Sequence, residues 1–351
     1  MGLKILHSAD WHLDSAFVSF SEEQRQSLKA ALGQIPGKIA DLCREEGCDL
    51  VLLSGDIFDG VATRESIELV KDALKRCCVP VFLSPGNHDF CCDGSPWLEE
   101  SWPENVRVFT GSLESVAVPE LDCRIYGAGY KSMDCPGLLE DFHAEGTEKY
   151  HIAVLHGDPT VSNSPYCPIT SAQVRNSGLD YLALGHIHKA GSFRAGATLC
   201  AWPGCPMGRG WDELGDKGAY IVTLEDTAEL RPVTIDTLRF FEETLDIGGD
   251  ALAALEGLLP AAGSEDFYRI SLTGTGEVDA DKLKAQLSKW PNVELRDLTE
   301  EAVDIWEDVG EDSLRGVYFR LLRDIAQDDP NAVLAAEISR KLLEGREVRL
   351  P

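Results

Sequence analysis

The chain of 351 residues has 11 cysteines, yet no two are spaced as C-x-x-C. The adjacent pairs Cys77–Cys78 and Cys91–Cys92 suit neither a zinc knuckle nor a disulfide framework. Reduced, mostly buried thiols in a reducing compartment are therefore expected. Also missing is any apolar run near the roughly 20 residues that would cross a bilayer. Charged and polar residues interrupt Met1–Leu13 too early for a signal peptide. The reading is a cytoplasmic protein with no membrane partner. Basic charge is scarce as well, with 32 Lys and Arg against 60 Asp and Glu, net −28. The deficit is not a tail: residues 1–240 carry 35 acidic and 20 basic side chains (−15), and residues 241–351 carry 25 and 12 (−13). This excludes the broad basic face by which unaided nucleic-acid binders usually show themselves.

What is present up to residue 240 is an alternation of buried strands and amphipathic helices. "LKILHSAD", "CDLVLLSGD", "VPVFLSPGNHD", "RIYGAGY", "YHIAVLHGD", "DYLALGHIH" and "GAYIVTLED" read as strands. Glu22–Glu46 reads as helical, opened by a Ser21/Gln24 capping box and kinked or divided by Pro36. Thr63 caps a second helix ending near Cys77. Strands alternating with helices predict an α/β layered fold. Residues 241–300 read as a small β-α-β-α-β cap, with strands "RFFEETLDI", "DFYRISLTG" and "NVELRDLT" and helices near Ala251–Leu259 and Ala280–Lys289. Residues 301–351 form a helical segment. Its stripes are Leu314, Val317, Tyr318, Leu321, Leu322 and Ile325, then Val333, Leu334, Ile338, Leu342 and Leu343 after an Asp329-Pro330 start. These stripes fit two helices folded on their own protein or a docking hairpin for a partner.

Chemistry collects at five strand exits. "ADWH" offers Asp10 and His12, "GDIFD" Asp56 and Asp59, "GNHD" Asn87, His88 and Asp89, "HGD" His156, and "GHIH" His186 and His188. Each cluster alone has a plain structural explanation, such as a helix cap, a turn or a strand-end histidine. Five in series, each just past the carboxyl end of an apolar strand, do not, because that edge is where open α/β sheets bind ligands. Two carboxylates, one amide oxygen and four imidazoles suit Mn²⁺, Fe²⁺ or Zn²⁺ and are too nitrogen-rich for Mg²⁺ or Ca²⁺. Seven donors exceed one ion and match two that share a carboxylate.

The order D-x-H, G-D-x-x-D, G-N-H-D, H-G-D, G-H-x-H resembles the calcineurin-like metallophosphoesterases. The flanks "ILHSADWHLD", "VLLSGDIFDG", "YLALGHIHK" and "WPGCPMGRGWDELGDKGAY" are similar to the DNA repair exonuclease branch, typified by SbcD and YhaO. The resemblance implies one metal on Asp10, His12, Asp56 and His188, and a second on Asp56, Asn87, His156 and His186, with Mn²⁺ favoured. It makes His88 the group that faces substrate and protonates the leaving oxygen, with Asp89 and Asp59 orienting it and the ligands. It implies hydrolysis of phosphodiesters, DNA as substrate, an SbcC-like coiled-coil ATPase partner for the terminal helices, and a homodimer. Small nucleotides or other phosphoesters are the alternative substrates. Leu28, Leu32, Ile35, Ile39 and Leu42 are the stripe available to a dimer. Lys131, Arg175, Lys189, Arg194 and Arg209 are the candidates for a local basic patch.

Overall fold

Strand β1 (Leu3–Ser8) is buried on both faces, and the rest of the architecture is arranged around it. A strand enclosed on both sides reads as a continuous apolar run, which is why "LKIL" carries no clean alternation. In this computed structural model β1 lies within a six-stranded sheet with β2 (Leu50–Leu53), β3 (Val81–Leu83), β4 (Val106–Val108), β11 (Gly218–Leu224) and β12 (Ala228–Thr234). The order is β12-β11-β1-β2-β3-β4, with β1 to β4 parallel and β11 and β12 antiparallel. A second sheet contains β5 (Glu114–Val118), β6 (Cys123–Gly127), β7 (Tyr150–His156), β8 (Tyr181–Gly185), β9 (Gly191–Ala195) and β10 (Thr198–Trp202), in the order β5-β6-β7-β8-β10-β9. The structure describes residues 2–246, 255, 258–259, 264–274, 285, 287, 290, 292–299 and 304–345.

The sheets face each other through Ile5, Leu50, Leu52, Phe82 and Val222 on one side and Ile125, Ile152, Val154, Tyr181 and Ala183 on the other. Alternate residues of the first sheet, Leu6, Val51, Leu53, Val81 and Leu83, point away from that interface into the helices. These helices are α1 (Glu22–Gly33), α2 (Ile35–Glu46) and α3 (Arg64–Cys77). The expected long helix is divided: it stops at Gln34 and restarts with Pro36 in the first turn of α2, where a missing N–H costs nothing. The Ser21 capping box is present, and Thr63 caps α3. Leu28, Leu32, Ile35 and Ile39 are fully buried in this core and Leu42 packs against it. The stripe offered for a homodimer is therefore interior. Its apolar periodicity marked the face turned to the sheet. All eleven cysteines are free thiols, and only Cys78 and Cys92 are exposed.

A histidine sits between the sheets. His7 on β1 is fully buried, with Nδ1 2.7 Å from the Tyr181 hydroxyl and Nε2 2.8 Å from Ser54 Oγ. Such a group is tolerated because both ring nitrogens are satisfied.

The chain divides into two units: residues 1–243 with 262–269 and 290–294, and residues 244–261 with 270–289 and 295–351. Strands β13 (Phe240–Asp246), β14 (Phe267–Thr273) and β15 (Val293–Asp297) form a three-stranded sheet, which the sequence indicated. The helices expected near Ala251–Leu259 and Ala280–Lys289 lie largely outside the described residues. In the second unit, α6 (Leu314–Ile325) and α7 (Asn331–Leu343) form a hairpin, α4 (Pro96–Glu99) and α5 (Ser171–Asn176) being short helices of the first. Its buried face differs from the expected stripes: Phe319 of α6 packs with Ala336 and Arg340 of α7, and Gly316 lies against the backbone of Asp308 and Glu311. Small residues allow close approach. Arg340 is buried because Asp308 and Glu307 neutralise it. Leu314, Val317, Tyr318, Leu321 and Ile325 are instead exposed, as are Leu334, Leu342 and Leu343.

His7 gives a test of the inter-sheet packing. Burial lowers its pKa to about 3, whereas an unfolded His titrates near about 6.5. Below the latter value the unfolded chain takes up a proton that the folded chain refuses. His7 therefore costs stability at about 1.4 kcal/mol per pH unit as pH falls from about 6.5 towards 3. In urea titrations between about pH 7 and 4.5, His7→Gln is expected to be less stable at neutral pH but to lose stability more shallowly on acidification. Parallel slopes for both proteins would contradict a buried, neutral His7.

Candidate metal centre

The carboxyl ends of β1, β2, β3, β7 and β8 send their connecting segments to one place. The segments after β1 and β2 run side by side, with Asp10 N donating to Gly55 O (3.0 Å), His12 N to Asp56 O (2.9 Å) and Leu13 N to Ile57 O (2.9 Å). This ladder requires unusual backbone. Asp10, His12, Asp56 and His186 all have positive φ, at 54°, 49°, 51° and 88°. Non-glycine residues in that region cost of order 1–3 kcal/mol each and gather where function over-determines geometry. Glycine supplies the remaining clearance. A Cβ on Gly86 would sit 2.2 Å from Asp56 Oδ1 and 2.8 Å from the His156 ring.

The side chains converge as the backbone does. His12 Nε2 lies 3.1 Å from His188 Nε2 and 3.7 Å from Asp56 Oδ2. His156 Nε2 lies 3.4 Å from Asp56 Oδ2 and 2.9 Å from Asn87 Oδ1, which is also 3.2 Å from His186 Nδ1. Asp10, His12 and His188 place one donor atom each within 4.8 Å of one another, as do Asp10, Asp56 and His156. Asp10, Asp56, Asn87, His12 and His156 are buried; His186 and His188 are half-buried. All seven expected metal ligands are thus brought together.

The tautomers aim lone pairs inward. His156 Nδ1–H donates to Ser54 O at 2.8 Å, so its Nε2 is left unprotonated towards Asn87 and Asp56. His188 Nδ1–H donates to Glu213 Oε1 at 2.6 Å, so neutral His188 likewise presents Nε2 to His12. Acceptors face acceptors across this space. Asp10 Oδ2 and His12 Nδ1 are buried without a hydrogen-bond partner, which is costly unless something else satisfies them. Mixed imidazole, carboxylate and amide donors with an orphaned carboxylate oxygen fit divalent transition-metal ions.

Electrostatics follow from burial and neighbours. Burial holds His12 and His186 below their ordinary values, against the pull of nearby carboxylates. Burial alone would raise Asp56, but His156 and His12 outweigh it and lower it. Asp59 is held well below the usual carboxylate range by His12 and His88. It accepts from His88 Nδ1–H at 2.8 Å and raises that imidazole's pKa. Asp89 is pushed up to about 7 by burial and by Asp56. Four backbone N–H groups, of Gly86, Asp56, Ile57 and Phe58, donate to it at 2.7–3.3 Å and oppose that shift. Asp89 therefore fixes the loop that carries Asn87 and His88, while Asp59 fixes the His88 ring. His88 also comes within 4.8 Å of donors on His12 and Asp56, and its side chain is 41% exposed.

Two contributors were not singled out from sequence. Glu213 is buried against His188, and its Oε2 accepts from Arg209 N at 2.8 Å. Burial would raise this carboxyl, yet His188 and Arg209 hold it well below the usual carboxylate range. The segment "GRGWDELGDKG" contains it, but no spacing tied Glu213 to a histidine 25 residues away. Ser54 joins His156 to His7 through its carbonyl and hydroxyl. Of the expected basic patch, Arg209 turns inward to Glu213 at 3.2 Å. Lys131, Arg175 and Lys189 are exposed, as is Arg194.

A pair of facing sheets thus carries a cluster of histidines and carboxylates at its strand ends, gathered around Asp56. The chain belongs to the calcineurin-like phosphoesterase family, whose model matches residues 3–190. It is 34% identical over 244 residues to the uncharacterized metallophosphoesterase YhaO of Bacillus subtilis, covering 63% of this chain and 57% of that one. It is 23% identical over 258 residues to the SbcD component of the nuclease SbcCD of Bacillus subtilis, covering 61% and 64%. The chain thus spans less than two thirds of either relative. It is also 26% identical over 204 residues to the 3',5'-cyclic adenosine monophosphate phosphodiesterase CpdA of Haemophilus influenzae, covering 53% and 70%.

Replacing Glu213 by Gln keeps the shape and removes the charge that sets the His188 tautomer. Mn²⁺ affinity by calorimetric titration is expected to fall about 10- to 100-fold, with the circular dichroism spectrum unchanged. Undiminished affinity would show that Glu213 only packs.

Proposed function

We propose that this protein is a two-metal phosphodiester hydrolase that processes DNA ends. The carrying observation is the convergence of seven inward-facing donors around the shared carboxylate of Asp56, beside an exposed His88. Asp10, His12, Asp56 and His188 would hold one cation, and Asp56, Asn87, His156 and His186 the other. Mn²⁺ suits this set best, with Fe²⁺ and Zn²⁺ as alternatives. Two such ions supply Lewis acidity, neutralising phosphoryl charge and acidifying the attacking water. The chain's own residues do the rest. His88, its Nδ1–H held by Asp59, has Nε2 to donate a proton to the departing alkoxide. The carboxylate of Asp59 orients that ring and raises its pKa, and Asp89 holds the loop beneath it.

The nuclease reading draws on likeness to the SbcD component of SbcCD and on the terminal hairpin. In this reading residues 1–240 are the catalytic domain, 241–300 a cap domain and 301–351 a docking segment. The exposed stripe Leu314, Val317, Tyr318, Leu321 and Ile325 supports docking on an apolar coiled-coil surface, as an SbcC-like ATPase would offer. A small-diester reading is favoured by two observations: net charge −28 opposes DNA binding without a partner, and CpdA is named for a cyclic nucleotide.

With Mn²⁺, the purified protein is expected to release nucleotides from end-labelled linear duplex DNA. His88→Ala should reduce turnover about 10²- to 10⁴-fold while binding Mn²⁺ as tightly as before. Turnover of a small diester with intact DNA, even after addition of a candidate ATPase, would replace the nuclease with a small-molecule phosphodiesterase.

A further inference from the structure

The carboxylate that orients His88 is itself held from behind. Asp59 Oδ1 accepts from His88 Nδ1–H at 2.8 Å, and Asp59 Oδ2 lies 2.9 Å from the hydroxyl of Ser15. Ser15 is buried and belongs to the segment after β1 that also carries Asp10 and His12. Its Oγ is also 2.8 Å from His12 O and 3.4 Å from Arg209 Nη1. A guanidinium only donates, so Ser15 Oγ is the acceptor on the Arg209 side. The single hydroxyl hydrogen then goes either to His12 O or to Asp59 Oδ2. His12 O already accepts from Ser15 N at 3.2 Å, and a carboxylate is the stronger acceptor, so Asp59 takes it. The exposed His88 ring has little packing to fix it beyond an edge-to-face contact with His12, centroids 4.7 Å apart.

We infer that Ser15 is a positioning residue for protonation of the leaving group, acting through Asp59 on His88. The inference rests on the two-metal reading above, in which His88 protonates the departing oxygen. Asp59 gives one oxygen to His88 and the other to Ser15, while its backbone N donates to Leu13 O at 2.7 Å. With both oxygens engaged the carboxylate is held in one rotamer, and the plane of the imidazole follows it. Without the hydroxyl, Oδ2 turns to water and the ring loses its fixed aim. The hydrogen bonds of Ser15 Oγ engage none of the proposed metal-donor atoms, so ion binding survives its loss.

The consequence depends on the leaving group. An alkoxide must be protonated as it departs, whereas p-nitrophenolate is stable as an anion and leaves without a proton. The test follows hydrolysis of TpT and of thymidine 5'-(p-nitrophenyl phosphate) by the full chain with Mn²⁺. Ser15→Ala is expected to lower kcat for TpT at least about tenfold. KM, Mn²⁺ affinity and p-nitrophenolate release should stay within about twofold. Ser15→Thr, which keeps the hydroxyl, should restore TpT turnover. In the Asp59→Asn background, Ser15→Ala should cost less than about twofold further, because the two act as one unit. Equal slowing of both esters, lost Mn²⁺ affinity, or effects of the two substitutions that multiply would overturn the role of Ser15 while His88→Ala still spares the p-nitrophenyl ester. A His88→Ala variant that slows both esters alike would overturn the acid role of His88 and the inference with it. So would a wild type that turns over only the aryl ester or neither.

Discussion

The structure depends on holding electron-rich atoms close together without protons between them. His156 Nε2, unprotonated while Nδ1–H is given to Ser54 O, lies 2.9 Å from the acceptor Asn87 Oδ1, and His12 Nε2 lies 3.1 Å from His188 Nε2. Nothing in the pairs themselves favours these distances. They are imposed from behind, by the backbone ladder between the segments after β1 and β2, by the positive φ of four candidate ligands, and by the hydrogen bonds of Ser54, Glu213 and Asp89. The cost is met by the core: β1 and β2, which launch the ladder, are wholly enclosed between helices and the second sheet. Cations held among these atoms would offset that repulsion, which would couple metal binding to folding.

Much of this centre was legible in the sequence because each element of it is local. An aspartate and a histidine two apart in extended chain, or a glycine, asparagine and histidine in one turn, announce themselves by spacing. The strands are legible for the same reason, since apolar runs ending in Gly, Asp or His recur along the first 240 residues. Glu213 was not, because its contact with His188 joins a loop to a strand end and depends on how the segment after β10 folds back. The inward turn of Arg209 was hidden likewise. A basic residue counted as surface charge is instead the counter-ion of a buried carboxylate.

The helices show where periodicity misleads. Leu28, Leu32, Ile35 and Ile39 have the same spacing as the stripe from Leu314 to Ile325, yet the first set is core and the second is exposed. A stripe states that a helix has an apolar face and does not state what covers it. In α6 and α7 the buried positions include Gly316, Ala332 and Ala336 instead, residues too small to register in a hydrophobic pattern. Arg340 lies on that face because two carboxylates meet it there, an arrangement visible only once the short turn Glu307–Gly310 is placed beside α7.

Charge and chemistry are reconciled at short range. An acidic chain repels a polyanion at distance, and over more than about 10 Å that repulsion is screened at physiological salt. Within the site the balance is different. Asp59 is paired with His88, and Glu213 with Arg209 and His188. Each of these carboxylates has a dedicated partner beside it, so the acidity of the chain as a whole does not describe the surroundings of the cluster.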